Sequence, residues 1–301
     1  MIIRQLIYLD ALAREKHFRR AAEACHVSQP TLSAAIHQLE EELGVLIVER
    51  GHRFQVLTRE GEAVLAHARR ILAEADLLKD TIAELRQGVT GRIRLGAVPT
   101  ALPIVAHITA PFSTRYPGVS LTVLSLTSQE ILRRIEEFEL EAGLTYLDNE
   151  PLDHVISKPI YQESLVLLTR ADSALGQRDS LTWREAAEQK LCLLTPDMQN
   201  RRIIDGVFRS VGRAPQPAIE TNSIFNLCSH VGIEGICSIV SRQLLEFFGL
   251  PRGAKALALT EPEVKRTIGL IVADRQPMPP LARNLLAMAQ PIDAACLSPD
   301  R

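Results

Sequence analysis

The sequence predicts a multidomain α and α/β protein. A small helical N-terminal domain carries a β hairpin, a long helix follows, and the C-terminal part is an α/β domain of two subdomains. Three observations predict this. Two short helical patterns meet at a tight break in RRAAEACHVSQPTLSAAIHQLEEELG, residues 19–44. A heptad of apolar positions runs over residues 61–85. From residue 92 onward, short apolar strands alternate with amphipathic helices, the grammar of a largely parallel sheet covered on both faces.

Apolar residues Ile3, Leu6, Ile7, Leu9 and Leu12 recur at helical spacing and predict a first helix. Phe18, Ala21, Ala22 and Cys25 mark a short second one. Ser28 suits the N-cap of a third, because its hydroxyl can accept an orphan first-turn N–H, and Pro30 is tolerated in that turn. Leu32, Ile36, Leu39 and Leu43 form its apolar stripe, and Gly44 ends it. Gln29, Ser33 and His37 lie on another stripe and carry no fixed charge. A helix that buries one face and presents hydrogen-bonding groups on another suits base reading in a DNA groove. Spacing alone leaves a plain helical bundle with a solvated face as an equal alternative.

In GVLIVERGHRFQVL, two β-prone runs flank a Gly-containing basic tip (Arg50, Gly51, His52, Arg53), which predicts a hairpin or wing. Arg50 and Arg53 are expected near phosphates, with Glu40 to Glu42 pointing away from them. Thr58 is the expected N-cap of the long helix. Its positions 61, 64, 68, 71, 75, 78, 82 and 85 step by three and four, a seam best explained by a partner helix. Packing on its own protein is the alternative.

Expected strands beyond it are Ile93–Val98, Ser120–Leu126, Ala142–Tyr146, Ser164–Thr169, Leu191–Leu194, Ala218–Thr221, Ile236–Val240 and Thr267–Ala273. Helices are expected near 101–114, 128–138, 200–211, 223–231 and 280–290. The resulting division is a small helical domain with a hairpin over 1–58, a long helix over 59–90 and an α/β domain over 91–301. Its subdomain I takes about 91–162 and 267–301, and its subdomain II takes 163–266.

Composition narrows the function. Net charge is −2, and residues 1–58 hold seven Lys/Arg against seven Asp/Glu, so any affinity for DNA must come from a localised face. Five scattered cysteines without a Cys-x-x-Cys argue against a disulfide framework or structural zinc, and no metal site or cofactor is expected. No apolar run reaches the length of a membrane span and no signal peptide is recognised, so the cytoplasm is expected and a membrane is not.

Phe18, Ala21 and Ala22, followed by VSQPTLSAAIHQLEEELG, VER and LTREG, closely resemble the N-terminal domain of the LysR-type transcriptional regulators. LGAVPT, FSTRYPGVSL and ETNS extend the resemblance more loosely over essentially the whole chain. Leu46, Val48, Ala34 and Ser241 depart from what is usual there: proline, phenylalanine, a polar or basic residue, and proline. TYLDNEPL and LLTPDMQNRRIID resemble regulators of cyanate or formate metabolism. The resemblance implies a winged helix-turn-helix that binds double-stranded promoter DNA and a linker helix that forms a homodimer. It also implies assembly to a homotetramer, contact with RNA polymerase on activation, and a periplasmic-binding-protein-like effector domain. On the matching positions, DNA contact falls to Ser28, Gln29, Pro30, Thr31, Ser33 and His37, with Arg50 and Arg53 at the wing.

The effector is expected at the strand-to-helix junctions of the C-terminal domain. Ligands of open parallel sheets bind beyond the carboxyl ends of the strands, and helix N-termini there favour anions. Candidate junctions are Pro99-Thr100-Ala101, Thr127-Ser128 and Asn222-Ser223, with Thr195, Met198, Gln199 and Asn200 in a fourth loop ahead of Arg201 and Arg202. Plain N-capping is the alternative for each. A small carboxylate or similar anion is the expected ligand. An enzyme is not expected, since no nucleophile elbow, P-loop or His-Glu-x-x-His occurs and no catalytic residue stands out. A thiol redox sensor using Cys228 and Cys237 is a rival, weakened by their apolar surroundings. An effector-free architectural protein is another.

Overall fold

The computed structural model describes residues 1–50 and 54–292. The chain forms two compact units, Met1–Gly88 and the remainder from Val89. In the first, α1 (Ile3–Glu15), α2 (Phe18–Ala24) and α3 (Gln29–Leu43) precede β1 (Val48–Arg50) and β2 (Phe54–Leu57), which pair antiparallel, and then α4 (Arg59–Gln87). Ser28 caps α3 by accepting the Thr31 N–H, and Gly44 closes it. Leu32, Ile36 and Leu39 are buried with Leu6, Leu9, Leu12, Ala21 and Ala22 in one core. Each such leucine or isoleucine contributes roughly 1.5–3 kcal/mol through burial.

One expectation changes here. Leu43 is exposed, and the last buried position of α3 is Glu40. Glu40 is buried while its neighbours Glu41 and Glu42 are exposed. Its Oε1 accepts the N–H groups of Ile47 at 2.9 Å and Val48 at 3.2 Å, tying α3 to the start of the wing. An acidic run was legible in the sequence. That its first member supplies two otherwise orphaned amides was not.

α4 also divides in two. Thr58 caps it by accepting the Gly61 N–H at 2.9 Å and donates to the Leu46 carbonyl at 2.6 Å. At Gly61 an added Cβ would stand 2.1 Å from the Ile47 carbonyl oxygen, so a small residue is required there by the domain's own packing. Ala68 belongs to the domain core with Val64 packed against it, and Arg69 donates to Asp10 of α1 at 2.9 Å. Further along, Ile71, Leu78, Ile82 and Leu85 are exposed, Leu85 at 78%. The first part of the heptad therefore serves the domain itself, and the apolar surface open to a partner lies in the later turns.

In the second unit, β3 (Gly91–Ala97) leads through a 3₁₀ turn at Pro99–Ala101 into α5 (Leu102–Arg115). β4 (Val119–Ser125), α6 (Ser128–Glu136), β5 (Ala142–Tyr146) and the long β6 (Val155–Arg170) follow. Next come β7 (Ser180–Thr182), α7 (Trp183–Ala186), β8 (Leu191–Leu194), α8 (Gln199–Ser210), β9 (Ile219–Thr221) and α9 (Ile224–His230). β10 (Cys237–Ser241), α10 (Arg242–Phe248), β11 (Ala254–Thr260), β12 (Lys265–Ala273) and α11 (Pro280–Met288) complete it. The strands follow the order β4-β3-β5-β12-β6-β10-β8-β9, with β11 on β6 and β7 on β11. One lobe comprises β4, β3, β5, β12 and the first half of β6. The other gathers β10, β8, β9, β11 and β7 on its second half.

β6, at 16 residues, is more than twice as long as the expected Ser164–Thr169, because its first half hides a bulge. Register slips where Gly269 faces Pro159, which has no N–H to give. Gly269 fits because a Cβ there would lie 2.7 Å from the Lys158 carbonyl oxygen. β7, α7, α10 and β11 were also not read from the sequence. Most are too short for a periodicity to show, and AKALALT in β11 is an apolar run that helix and strand share.

Candidate functional site

On α3, the predicted stripe stands clear of the core. Ser28, Gln29, Pro30, Thr31, Ser33 and His37 are all exposed, as is Ala34. The Ser28 and Thr31 hydroxyls lie 2.7 Å apart, so the cap orders the start of the helix while leaving Gln29 outward. His37 lies 3.9 Å from the Glu40 carboxylate and 3.6 Å from that of Glu41. Arg50 ends β1, but its side chain, like Arg53 altogether, lies outside the described residues. Of the departures near the wing, Leu46 is exposed and Val48 is buried, so only Val48 packs into the core.

Strand polarity builds the second site. β3, β4 and β5 run parallel, and β12 runs antiparallel to both β5 and β6, so β5 and β6 share a direction. β10 runs against β6, and β8 and β9 run parallel to β10. The carboxyl ends of the two lobes' strands therefore face each other across the middle of β6. Tyr146 at the end of β5 pairs with Ile268, which pairs with Tyr161, and Ser241 at the end of β10 pairs with Leu165. Glu163 lies midway between these two rows.

Around it the residues meet directly. The Tyr146 hydroxyl donates to Glu163 Oε2, lies 2.9 Å from Thr100 Oγ1, and accepts from Asn200 Nδ2 at 3.1 Å. Thr145 donates to Gln199 Oε1 at 2.8 Å, and Gln199 Nε2 donates to Asn149 at 2.8 Å. Arg202 donates through Nη2 to Ser128 Oγ at 2.9 Å and through Nε to Glu150 at 2.7 Å, while Ser128 donates to the other Glu150 oxygen at 3.1 Å. The first turn of α8 thus bonds across to the end of β5 and to Ser128 after β4, while Thr100 after β3 meets the Tyr146 hydroxyl of its own lobe. Glu163 and Tyr161 are almost wholly buried, and Glu163 Oε1 and the Tyr161 hydroxyl have no hydrogen-bond partner. Burial pushes the Glu163 carboxyl up to about 7, against the lowering effects of the Tyr146 hydroxyl and of the nearby Ser241 hydroxyl, which donates to Gln243 at 3.2 Å. Burial and the Glu163 charge both hold the Tyr146 and Tyr161 hydroxyls protonated.

Of the residues expected here, Thr100, Ser128, Gln199 and Asn200 converge. Ala101 is buried in the turn and its N–H is used by Val98. Thr127 caps α6 by accepting the Glu130 N–H at 3.2 Å. Met198 packs in the core of the second lobe, and the Thr195 Oγ1 is buried without a partner. Asn222 is exposed, and Ser223 only caps α9. Arg201, next to Arg202, turns the other way and binds Leu194, Glu220 and Asp205. Tyr146, Glu150, Tyr161, Glu163 and Arg202 were not among the expected site residues. Glu163 lies within a strand rather than at a loop, and only the register reveals that strand's central place.

Burial raises the thiol pKa of each described cysteine, Cys25, Cys192, Cys228 and Cys237. Cys237 also contacts Thr169 Oγ1 at 3.5 Å. Cys296 lies outside the described residues. Among the described residues no group of three or more His, Cys, Asp or Glu is placed to hold a metal, and no helix is long and apolar enough to cross a membrane.

A helix-turn-helix unit joined in one chain to a two-lobed domain with a polar cleft is the plan of a ligand-responsive DNA-binding regulator. Residues 3–62 match the bacterial regulatory helix-turn-helix proteins of the lysR family, and residues 86–291 match the LysR substrate binding domain. The chain belongs to the LysR family of transcriptional regulators. It is 29% identical over 279 residues to the DNA-binding transcriptional dual regulator OxyR of Escherichia coli K12, covering 92% of this chain and 91% of that one. To a hydrogen peroxide-inducible genes activator of Pectobacterium carotovorum it is 30% identical over 285 residues, with 92% of each chain covered. A full-length OxyR variant from Pseudomonas aeruginosa superposes with a TM-score of 0.70 at 26% identity, covering 99% of this chain and 94% of that one. CbnR in complex with its target DNA superposes at 0.68 and 22% identity, over 96% and 99% of the two chains, which speaks for the fold alone.

Proposed function

We propose that this LysR-type regulator acts in the cytoplasm, reading promoter DNA through Ser28, Gln29, Pro30, Thr31, Ser33 and His37, with Arg50 and Arg53 on phosphates. The observation that carries the reading is the division of α3 into a buried apolar face and an exposed face rich in hydrogen-bonding groups. The exposed late turns of α4 support a homodimer, two of which would make a tetramer able to contact RNA polymerase. A small anion entering between the lobes is the signal. Asn200 bonds to Tyr146, Gln199 to Thr145 and Arg202 to Ser128 across the cleft, with Thr100 on the same Tyr146 hydroxyl, so a ligand that replaces those bonds changes how the lobes are held.

The test is footprinting of DNA flanking the gene, with and without candidate carboxylates at stated salt. Protection of a two-half-site operator, altered by one carboxylate and no longer altered in Thr100→Val/Ser128→Val, is the expected result. Protection unaffected by any small molecule would leave an architectural protein.

Relatives named as hydrogen peroxide-inducible genes activators favour a second reading, a regulator that responds to peroxide, here through a thiol. Against it stand the raised thiol pKa values, because the thiolate is the reactive form. A peroxide response that disappears in Cys228→Ser or Cys237→Ser would establish this reading in place of the anion.

A further inference from the structure

The cleft has two chemically opposite ends. At one, the Arg202 guanidinium and the Ser128 hydroxyl hold a carboxylate that belongs to the chain itself, Glu150. That carboxylate sits beside the first turn of α6, where an anion is favoured. At the other, Glu163 is buried to 2% exposure and Oε1 receives no hydrogen bond, the neighbouring Ser241 hydroxyl donating to Gln243 instead, and the Tyr161 hydroxyl beside it is unpartnered too. A buried carboxylate oxygen without a donor is costly to the fold, and a ligand bearing a donor recovers that cost. The two ends are joined through one turn of α8: Arg202 meets Ser128, and Asn200, two residues before it, meets the Tyr146 hydroxyl that donates to Glu163.

Resting on the reading of this cleft as the effector site, we propose that the effector is a small zwitterion, an amino-carboxylate. Its carboxylate displaces Glu150 from Ser128 and Arg202, and its ammonium group donates to Glu163 Oε1. Glu150 is then an internal competitor. It keeps the anion end occupied until a ligand that also satisfies Glu163 arrives. A simple carboxylate can only exchange one carboxylate for another at Arg202, with Glu163 still unmet. An amine alone finds Glu163 but leaves Glu150 in place.

Titration calorimetry on the full-length protein at pH 8 with 4-aminobutyrate, butyrate, butylamine and glutarate tests this. The expected result is 4-aminobutyrate binding at least about tenfold tighter than butyrate or butylamine, the scale of one charge-assisted hydrogen bond. In Glu163→Gln, checked for an intact thermal transition, the preference over butyrate falls to about twofold or less. Tyr161→Phe serves as the second, milder variant at the same end. Glu150→Gln tightens 4-aminobutyrate and butyrate alike and leaves butylamine unchanged. Equal affinity for butyrate and 4-aminobutyrate, or a preference untouched by Glu163→Gln, overturns the proposal. Tight glutarate without 4-aminobutyrate overturns it while leaving an anion-sensing cleft. No binding by any of the four overturns it as well, and the footprinting result then decides separately whether the cleft senses anything.

Discussion

The recognition helix and the interlobe cleft use the same side chains to opposite ends. On α3, Ser28, Gln29, Thr31 and Ser33 stand in solvent and bond at most to a neighbour in the same turn. In the cleft, Thr100, Ser128, Gln199 and Asn200 are buried and bond across to other segments of the chain. The first set is complete without a ligand and loses little on desolvation by DNA. The second must give up existing hydrogen bonds before a ligand gains any, so its affinity depends on what the ligand can replace. Exposed polar groups thus specify a partner by what they offer, and buried ones by what they lack.

The sharpest way to break this comparison is to remove a buried polar group in the DNA-reading unit. Glu40→Ala strips the Ile47 and Val48 amides of their acceptor, and the expected cost is about 3 kcal/mol of stability together with loss of DNA binding. Chemical denaturation reads it, and a loss under about 1 kcal/mol would mean those amides are satisfied otherwise.

Glu163 should show the reverse sign in the cleft. Its folded pKa of about 7 lies above the ordinary 4.5, so between those values the folded state holds a proton that the unfolded state has released. Stability is therefore full below about pH 4.5 as far as this group is concerned, and falls as pH rises to 7. Glu163→Gln should remove that slope and stabilise the protein at pH 8 by up to about 3 kcal/mol relative to wild type, at 1.36 kcal/mol per pKa unit. Equal slopes in denaturation curves from pH 5 to 8 would show that Glu163 titrates normally.

Smaller effects separate contact from cap on α3. Gln29→Ala should weaken specific DNA binding by about 1–3 kcal/mol with no change in thermal stability, since its side chain supports nothing in the fold. Ser28→Ala should cost about 1 kcal/mol in stability, and Ser28→Gly only a few tenths, because Ser28 accepts the Thr31 N–H. If Ser28→Ala melts like wild type, the cap is idle and Ser28 acts only on DNA.

Much of the first unit was legible because helical spacing, an N-cap serine and a terminating glycine are local signals. The places where reading failed are non-local. Nothing local in the acidic run marks Glu40 as the acceptor of two amides at the start of β1. Gly61 and Ala68 looked like small members of a dimer seam until Ile47 and the domain core were found against them. In the cleft, residues at strand-to-helix junctions were visible from hydroxyl and amide types alone. Glu163 and Tyr161 were not, because a strand with a proline and a bulge in its first half shows no clean alternation. Cys228 and Cys237 were read as poor sensor thiols from their apolar neighbours, and burial raises both.

The central claim is that DNA discrimination comes from the uncharged face of α3 rather than from net charge. It is tested most directly by selecting bound sequences from a random DNA pool with wild type and with Gln29→Ala/Ser33→Ala, each at two salt concentrations. The account predicts a paired half-site enriched by the wild type, relaxed at particular base positions by the variant, and the same salt dependence for both, since phosphate contacts are untouched. An unchanged sequence preference in the variant, or no enriched sequence in the wild type, would contradict it.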